Sequence, residues 1–161
     1  MAEVRLLAEV AETIPVIAAW YQAEWSDWFD ATPIVEIEAD LVSVANRVKL
    51  PLGLVVFDSS AQLAGICALR DDPFDPYPHA GPWLRGLYVH GPWRGNGFAG
   101  ELIHAAEQEA ARLGITRLFA ATGTAVGVFE RAGWLGFDEV RHQQQVLTIF
   151  AKRIGEPHRL P

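Results

Sequence analysis

GPWRGNGFAGEL, residues 91–102, sets four glycines around one cationic side chain, Arg94, and runs straight into an apolar-periodic segment. The stretch reads as a loop that opens a helix. Upstream, WLRGLYVH at Trp83 to His90 reads as a strand that feeds the loop directly. Downstream, Ala99, Leu102, Ile103, Ala106, Ala110 and Leu113 recur at helical spacing from Phe98 to Leu113. Glu107, Gln108 and Arg112 lie off that stripe, and Gly114 closes it. A strand that ends in glycines and opens a helix aims several backbone N–H groups and the positive end of the helix dipole at one point. That arrangement holds an anion. Glycine is required there because a Cβ would keep a phosphate off the backbone, and because such turns need φ above zero.

The whole chain limits which molecule carries the loop. With 161 residues and 50% apolar composition, it has the size of one domain, 1–161, with a full core. A formal net charge of −7 and the lack of any Lys/Arg run argue against nucleic acid and favour neutral or cationic partners. Cys67 is the only cysteine, which excludes an internal disulfide and a cysteine metal cluster; no metal is expected. MAEVRLLAEVAE lacks the apolar run of a signal peptide, and no stretch approaches the ~20 apolar residues of a membrane span. A cytoplasmic domain that does not bind membranes is the expectation.

Along the chain, a short apolar segment at Val4 to Val10 precedes a helix. Ile14, Ile17, Ala18, Tyr21, Trp25 and Trp28 form the buried stripe of that helix, with Thr13 as N-cap and Pro15 in its first turn. Trp20, Glu24 and Asp27 face the other way. Ile37, Leu41, Val44, Ala45 and Val48 predict a second helix stopped by Pro51. Gly53 to Asp58 and Leu63 to Arg70 read as a β-hairpin. DDPFDPYPHAGP, Asp71 to Pro82, is a stiff acidic loop that can rim a site. Ile115 to Ala121 reads as a buried strand, TAVGVFERAG as a short helix, and Trp134 to Ile154 as two strands around Gln143-Gln144-Gln145.

Three phosphate loops compete for residues 91–102. GxxxxGK[ST] fails, since no Lys-Ser or Lys-Thr follows a glycine. Gly95 to Gly100 matches GxGxxG literally, but Gly91 to Arg94 separate it from the strand, and Leu118 to Thr122 offer no carboxylate for a ribose. Arg94-Gly95-Asn96-Gly97-Phe98-Ala99 fits a third form, [RQ]-x-x-G-x-[GA]. At this point the sequence resembles the GNAT superfamily of acyl-CoA-dependent N-acyltransferases. The resemblance covers Pro82 to Trp134, ending in VFERAGW, which is similar to the family's FYERLGW segment; residues 1–70 match only in element order. It implies an α/β (α+β) fold: a GNAT-like mixed, mainly antiparallel sheet of about six to seven strands with about four helices.

The resemblance also implies chemistry. Backbone amides of Arg94, Gly95, Asn96, Gly97, Phe98 and Ala99 would hold the pyrophosphate of acetyl-CoA, with the Arg94 side chain orienting the loop or adding charge. The strand edge at Leu87, Tyr88 and Val89 would pair with the pantetheine arm, and an N–H there would polarise the thioester carbonyl. The amine attacks directly in this family, so no nucleophilic residue is needed. Many relatives place a tyrosine where Phe129 stands; Phe129 lines the expected cofactor position but cannot donate a proton to the thiolate. Tyr88 or an ordered water is then the acid, and His90 or His79 the base, directly or through water.

Each assignment has a plainer rival. A histidine at a strand end or in a loop is often only solvated, Tyr88 is equally placed for a core, and Trp20, Glu24 and Asp27 suit an ordinary surface. Cys67 in an apolar strand is inert, and acidic loops often serve solubility. The expected function is acetyl transfer from acetyl-CoA to a primary amine, small or peptidic and favoured to be cationic. The rival from another class is a non-catalytic acyl-CoA-binding domain, for which Phe129 argues. A homodimer is open.

Overall fold

Residues 2–26 and 32–155 are described by the structure, a computed structural model. Seven strands form one sheet: β1 (Glu3–Leu6), β2 (Leu52–Phe57), β3 (Leu63–Arg70), β4 (Trp83–Val89), β5 (Arg117–Thr122), β6 (Leu135–His142) and β7 (Gln145–Arg153), in the order β1-β2-β3-β4-β5-β7-β6. Four helices are described: α1 (Ile14–Glu24), α2 (Ile34–Ser43), α3 (Phe98–Arg112) and α4 (Val126–Arg131). Every pairing is antiparallel except β4 with β5. The mixed, mainly antiparallel sheet expected from the resemblance is therefore present.

Local chemistry explains the hairpins. In the β2–β3 turn, Asp58 Oδ1 accepts from the Ser60 and Gln62 amides at 2.8 and 2.9 Å, replacing ladder bonds the turn cannot make. Gln143 and Gln144 close β6–β7 with φ of 49° and 66°, the left-handed pair that matches strand twist in a two-residue hairpin. Helix α3 starts at Gly97, whose φ of 81° reverses the chain, and ends before Gly114, φ 78°.

The second helix is shorter than its apolar spacing predicts. It stops at Ser43, Val44 stays buried beyond the helix, and Val48 is 73% exposed. The Asn46 side chain donates to the Ser43 and Pro51 carbonyls at 3.0 and 2.7 Å, so a local side-chain bond ends the helix well ahead of the proline. Thr13 precedes α1 as expected but does not cap it: its hydroxyl donates backward to the Val10 carbonyl at 2.8 Å. Asp27 and Trp28 lie outside the described residues.

The sheet buries both faces. On one, α3 lays Leu102, Ile103, Ala106 and Ala110 over Leu52, Leu54, Leu69 and Leu118, with Phe129, Trp134 and Phe150 continuing the layer. Each fully buried Leu or Ile contributes about 1.5–3 kcal/mol, so this layer anchors the start of α3. On the other face, α1 and α2 cover Val55, Ile66, Ala68 and Tyr88, while Phe74 and Tyr77 of the acidic loop cover Trp83, Phe119 and Ile149. The two covers leave the middle of β4 between them.

Candidate active site

β4 and β5 share one bridge, Trp83 with Phe119, and the Phe119 amide donates to the Pro82 carbonyl at 3.0 Å. No further β4–β5 partners follow, so the strands part after Trp83. On its other side β4 stays bonded to β3, with Tyr88 opposite Ile66 and the His90 amide donating to the Ala64 carbonyl at 2.9 Å. Main-chain groups alternate along a strand, so those of Leu87 and Val89 face the β5 side. They line the gap.

A bulge sets that phase. Two residues, Gly86 and Leu87, oppose Cys67, the register shifts between Ile66 and Ala68, and Gly86 takes φ 65°. The Tyr21 hydroxyl of α1 donates to the Gly86 carbonyl at 2.6 Å, and a Cβ at Gly86 would stand 2.6 Å from that hydroxyl. Only glycine satisfies both the φ and the approach.

The glycine loop follows β4. Gly95 and Gly97 both have φ 81°, and a Cβ added at Gly91, Gly95, Gly97 or Gly100 would meet nothing within 4 Å. The loop is an open cradle floored by backbone, with the unbonded first-turn amides of α3 at its end. Its side chains hold it rather than fill it. Asn96 donates to the Trp93 and Arg94 carbonyls, each at 3.2 Å, and the Trp93 indole donates to Asp58 Oδ2 at 2.6 Å. Arg94 turns away from the cradle: Nε donates to the Val89 carbonyl at 2.8 Å, the guanidinium reaches Glu24 at 3.4 Å, and it lies 5.5 Å from the Tyr88 ring. It orients the loop against β4 and α1.

Tyr88 and His90 point to the α1 side of the sheet and share a hydrogen bond of 2.9 Å between the hydroxyl and Nδ1. Trp20 stacks on His90 with ring centroids 4.5 Å apart and planes 10° apart, and it also meets Tyr88 at 5.6 Å. Burial, with Glu24 nearby, pushes the Tyr88 phenol above its ordinary value, against the opposing pull of Arg94. The group therefore stays protonated at neutral pH, the state a proton donor needs.

Not every predicted residue joins them. His79 is exposed on the loop that precedes β4, whereas Tyr88 and His90 sit at the strand's other end. Seven residues of strand span roughly 20 Å, and the loop's Phe74 and Tyr77 pack on Trp83, so His79 is not brought beside the glycine loop. Asp72 accepts from Arg85, at 3.1 Å to its carboxylate and 2.8 Å to its carbonyl, and this clamps the acidic loop to β4. Phe129 is 2% exposed, between Phe150 at 5.4 Å and Trp134 at 5.0 Å, and belongs to the core. Burial pushes the Cys67 thiol up to about 12, so it is not a nucleophile near neutrality. Sequence reasoning missed Tyr21, Asp58 and Gly86 as site residues. The lone glycine inside a strand was the available signal for the bulge.

An open glycine cradle at the end of a strand whose outer edge is unpaired fits a long, phosphate-headed, amide-rich ligand such as acetyl-CoA. The model of the acetyltransferase (GNAT) family matches residues 15–134. The chain belongs to the GNAT acetyltransferase family. Family members use acetyl-CoA, and this GNAT protein is an acyltransferase. Solved structures are similar to it in fold. A GNAT-family acetyltransferase from Streptococcus pneumoniae aligns with TM-score 0.68 at 18% identity, over 96% of this chain and all of that one. The spermidine/spermine N-acetyltransferase of Vibrio cholerae gives 0.70 at 15%, over 95% of each chain. An aminoglycoside 6'-N-acetyltransferase complexed with coenzyme A gives 0.69 at 15%, over 89% of this GNAT chain and 92% of its own. No curated protein matches the sequence. No helix among the described residues is long and apolar enough to cross a membrane.

Proposed function

We propose that this acetyltransferase transfers the acetyl group of acetyl-CoA directly to a primary amine on a small molecule. The observation that carries the reading is the Leu87–Val89 edge, which no strand pairs on its β5 side, beside an open, glycine-floored helix start. When bound, acetyl-CoA supplies the acyl group as a thioester, whose thiol ionises near pKa ~8.5 and leaves readily.

The chain's residues do the rest. Amides from Gly95 to Ala99 bind the pyrophosphate, helped by the α3 dipole, while the Arg94 amide is engaged by the Gly91 carbonyl at 3.1 Å. The edge of β4 bonds the pantetheine amides as an added strand would, through the Leu87 carbonyl and the Val89 N–H, since the Val89 carbonyl is held by Arg94. The Leu87 N–H, fixed by the bulge, polarises the carbonyl where negative charge develops. His90, with Nδ1–H donating to the Tyr88 oxygen, takes the amine proton at Nε2, directly or through a water. Tyr88 gives its own proton to the departing sulfur and recovers one from His90 Nδ1. The proton that the amine loses thus replaces the one that the thiolate gains, and Phe129 needs no part in it.

For the acceptor, the net charge of −7 favours encounter with a cationic amine. The acidic loop contributes less than its composition suggests, because Asp72 is paired with Arg85 and lies 4.0 Å from Arg70. The test is a panel of a polyamine, an aminoglycoside, a lysine peptide and a neutral amine, read by free thiol released from acetyl-CoA. Turnover with a cationic small amine supports the reading. Binding of acetyl-CoA with no thiol released from any amine, even at high enzyme concentration, would instead mark a non-catalytic binding domain.

A further inference from the structure

The Tyr21 hydroxyl is bonded to one end of the peptide whose other end is the proposed carbonyl donor. It donates to the Gly86 carbonyl at 2.6 Å from a helix 65 residues away in sequence. The Gly86–Leu87 bond is not among the cis peptides, so its C=O and N–H point in opposite directions. Tyr21 holds the carbonyl on the α1 side, and the Leu87 N–H points the opposite way, away from Tyr21. Tyr21 is 8% exposed and packed against Trp25 at 4.9 Å, so the hydroxyl has little freedom to leave. Burial also pushes its phenol well above the ordinary tyrosine value, so it remains a donor throughout the working pH range. A Cβ at Gly86 would collide with this oxygen, so the φ 65° bulge and the tyrosine require one another.

Hydrogen bonds in series polarise one another in a low-dielectric interior. A donor on the Gly86 carbonyl draws electron density along the peptide and makes the Leu87 N–H a stronger donor. We propose that Tyr21 is a positioning residue that fixes and polarises the Gly86–Leu87 peptide, through which it strengthens the Leu87 N–H as donor to the acetyl carbonyl. The inference rests on the reading of Leu87 given under Proposed function.

The test is the infrared carbonyl band of [1-13C]acetyl-CoA bound to the wild type, to Tyr21→Phe, and to protein carrying 3-fluorotyrosine at position 21. The fluorinated ring keeps the shape and is a stronger hydrogen-bond donor, so it serves even if Tyr21→Phe does not fold. The expected order, from the frequency of free acetyl-CoA downward, is Tyr21→Phe, wild type, fluorinated protein. Tyr21→Phe should keep its acetyl-CoA dissociation constant and KM while kcat falls about tenfold, less than the loss of a whole donor. A wild-type band at the free frequency would remove the Leu87 donor itself, and this inference with it. A shifted wild-type band that neither substitution moves would overturn the role of Tyr21 alone and leave the Leu87 reading standing. A loss confined to acetyl-CoA affinity, with band and kcat unchanged, would also overturn it.

Discussion

The indole of Trp93 donates to the carboxylate of Asp58 at 2.6 Å, tying the glycine loop to the β2–β3 turn. That bond, and the amides of Gln62 and Ser60, hold the Asp58 carboxyl below its ordinary 3.8. A depressed carboxyl stabilises the fold fully above the unfolded value and loses that contribution as pH falls through the folded one. Asp58→Asn should therefore unfold at a lower temperature than wild type at pH 6, and the difference should shrink as both are acidified below 3.8. Melting curves at stepped pH check this. A gap that persists or widens in acid would show that the carboxylate charge is not what holds the loop.

Gly97 combines φ 81° with open space where a Cβ would project. Asparagine tolerates this backbone better than other residues, so Gly97→Asn should fold at a cost of about 1 kcal/mol. Its side chain occupies the cradle, and CoA affinity should fall at least tenfold by calorimetry. Gly114→Asn, with φ 78° at the far end of α3, should carry similar strain and bind CoA normally.

The glycine loop, α3, both hairpins and the succession of elements along the chain were legible because their signals are local: periodicity, turn residues, glycines at fixed offsets. What joins distant segments was not. Nothing in WLRGLYVH says that β4 leaves β5 after one residue pair, and the partner of the Tyr21 hydroxyl lies 65 positions away. Tyr21 was correctly read as buried, yet apolar spacing cannot say where a buried hydroxyl points. His79 was drawn toward the site by the acidity of its loop, whereas Phe74, Tyr77 and Arg85 tie that loop down around Trp83. The helix expected to reach Pro51 ended early because the Asn46 side chain competes for its carbonyls.

Tyr88→Phe removes the hydroxyl that meets His90 at 2.9 Å while keeping the ring on Trp20. With Tyr88 as the acid, kcat should fall 10²–10⁴-fold and acetyl-CoA affinity should change little. His90→Gln should lower kcat comparably. Equal losses in kcat and affinity for both variants would mean that the pair is packing, not chemistry.

Phe129→Tyr restores the residue type found at that position in many relatives, but here the ring sits between Phe150 and Trp134, 2% exposed. A hydroxyl there without a partner costs about 1–3 kcal/mol, so the variant should melt lower. Turnover should not rise, because Tyr88 already serves as the acid. An increase in kcat would reassign the acid to position 129.

The most direct measurement is thermal unfolding with saturating acetyl-CoA, CoA or NAD. A ligand at 100 times its dissociation constant adds ~2.7 kcal/mol, about 5–10 °C for a chain of this size. Acetyl-CoA and CoA should both raise the transition by that amount, NAD should not, and Gly97→Asn should cut the shift to about half or less. No shift with either CoA ligand would contradict the assignment of the glycine loop and the β4 edge as the acetyl-CoA site.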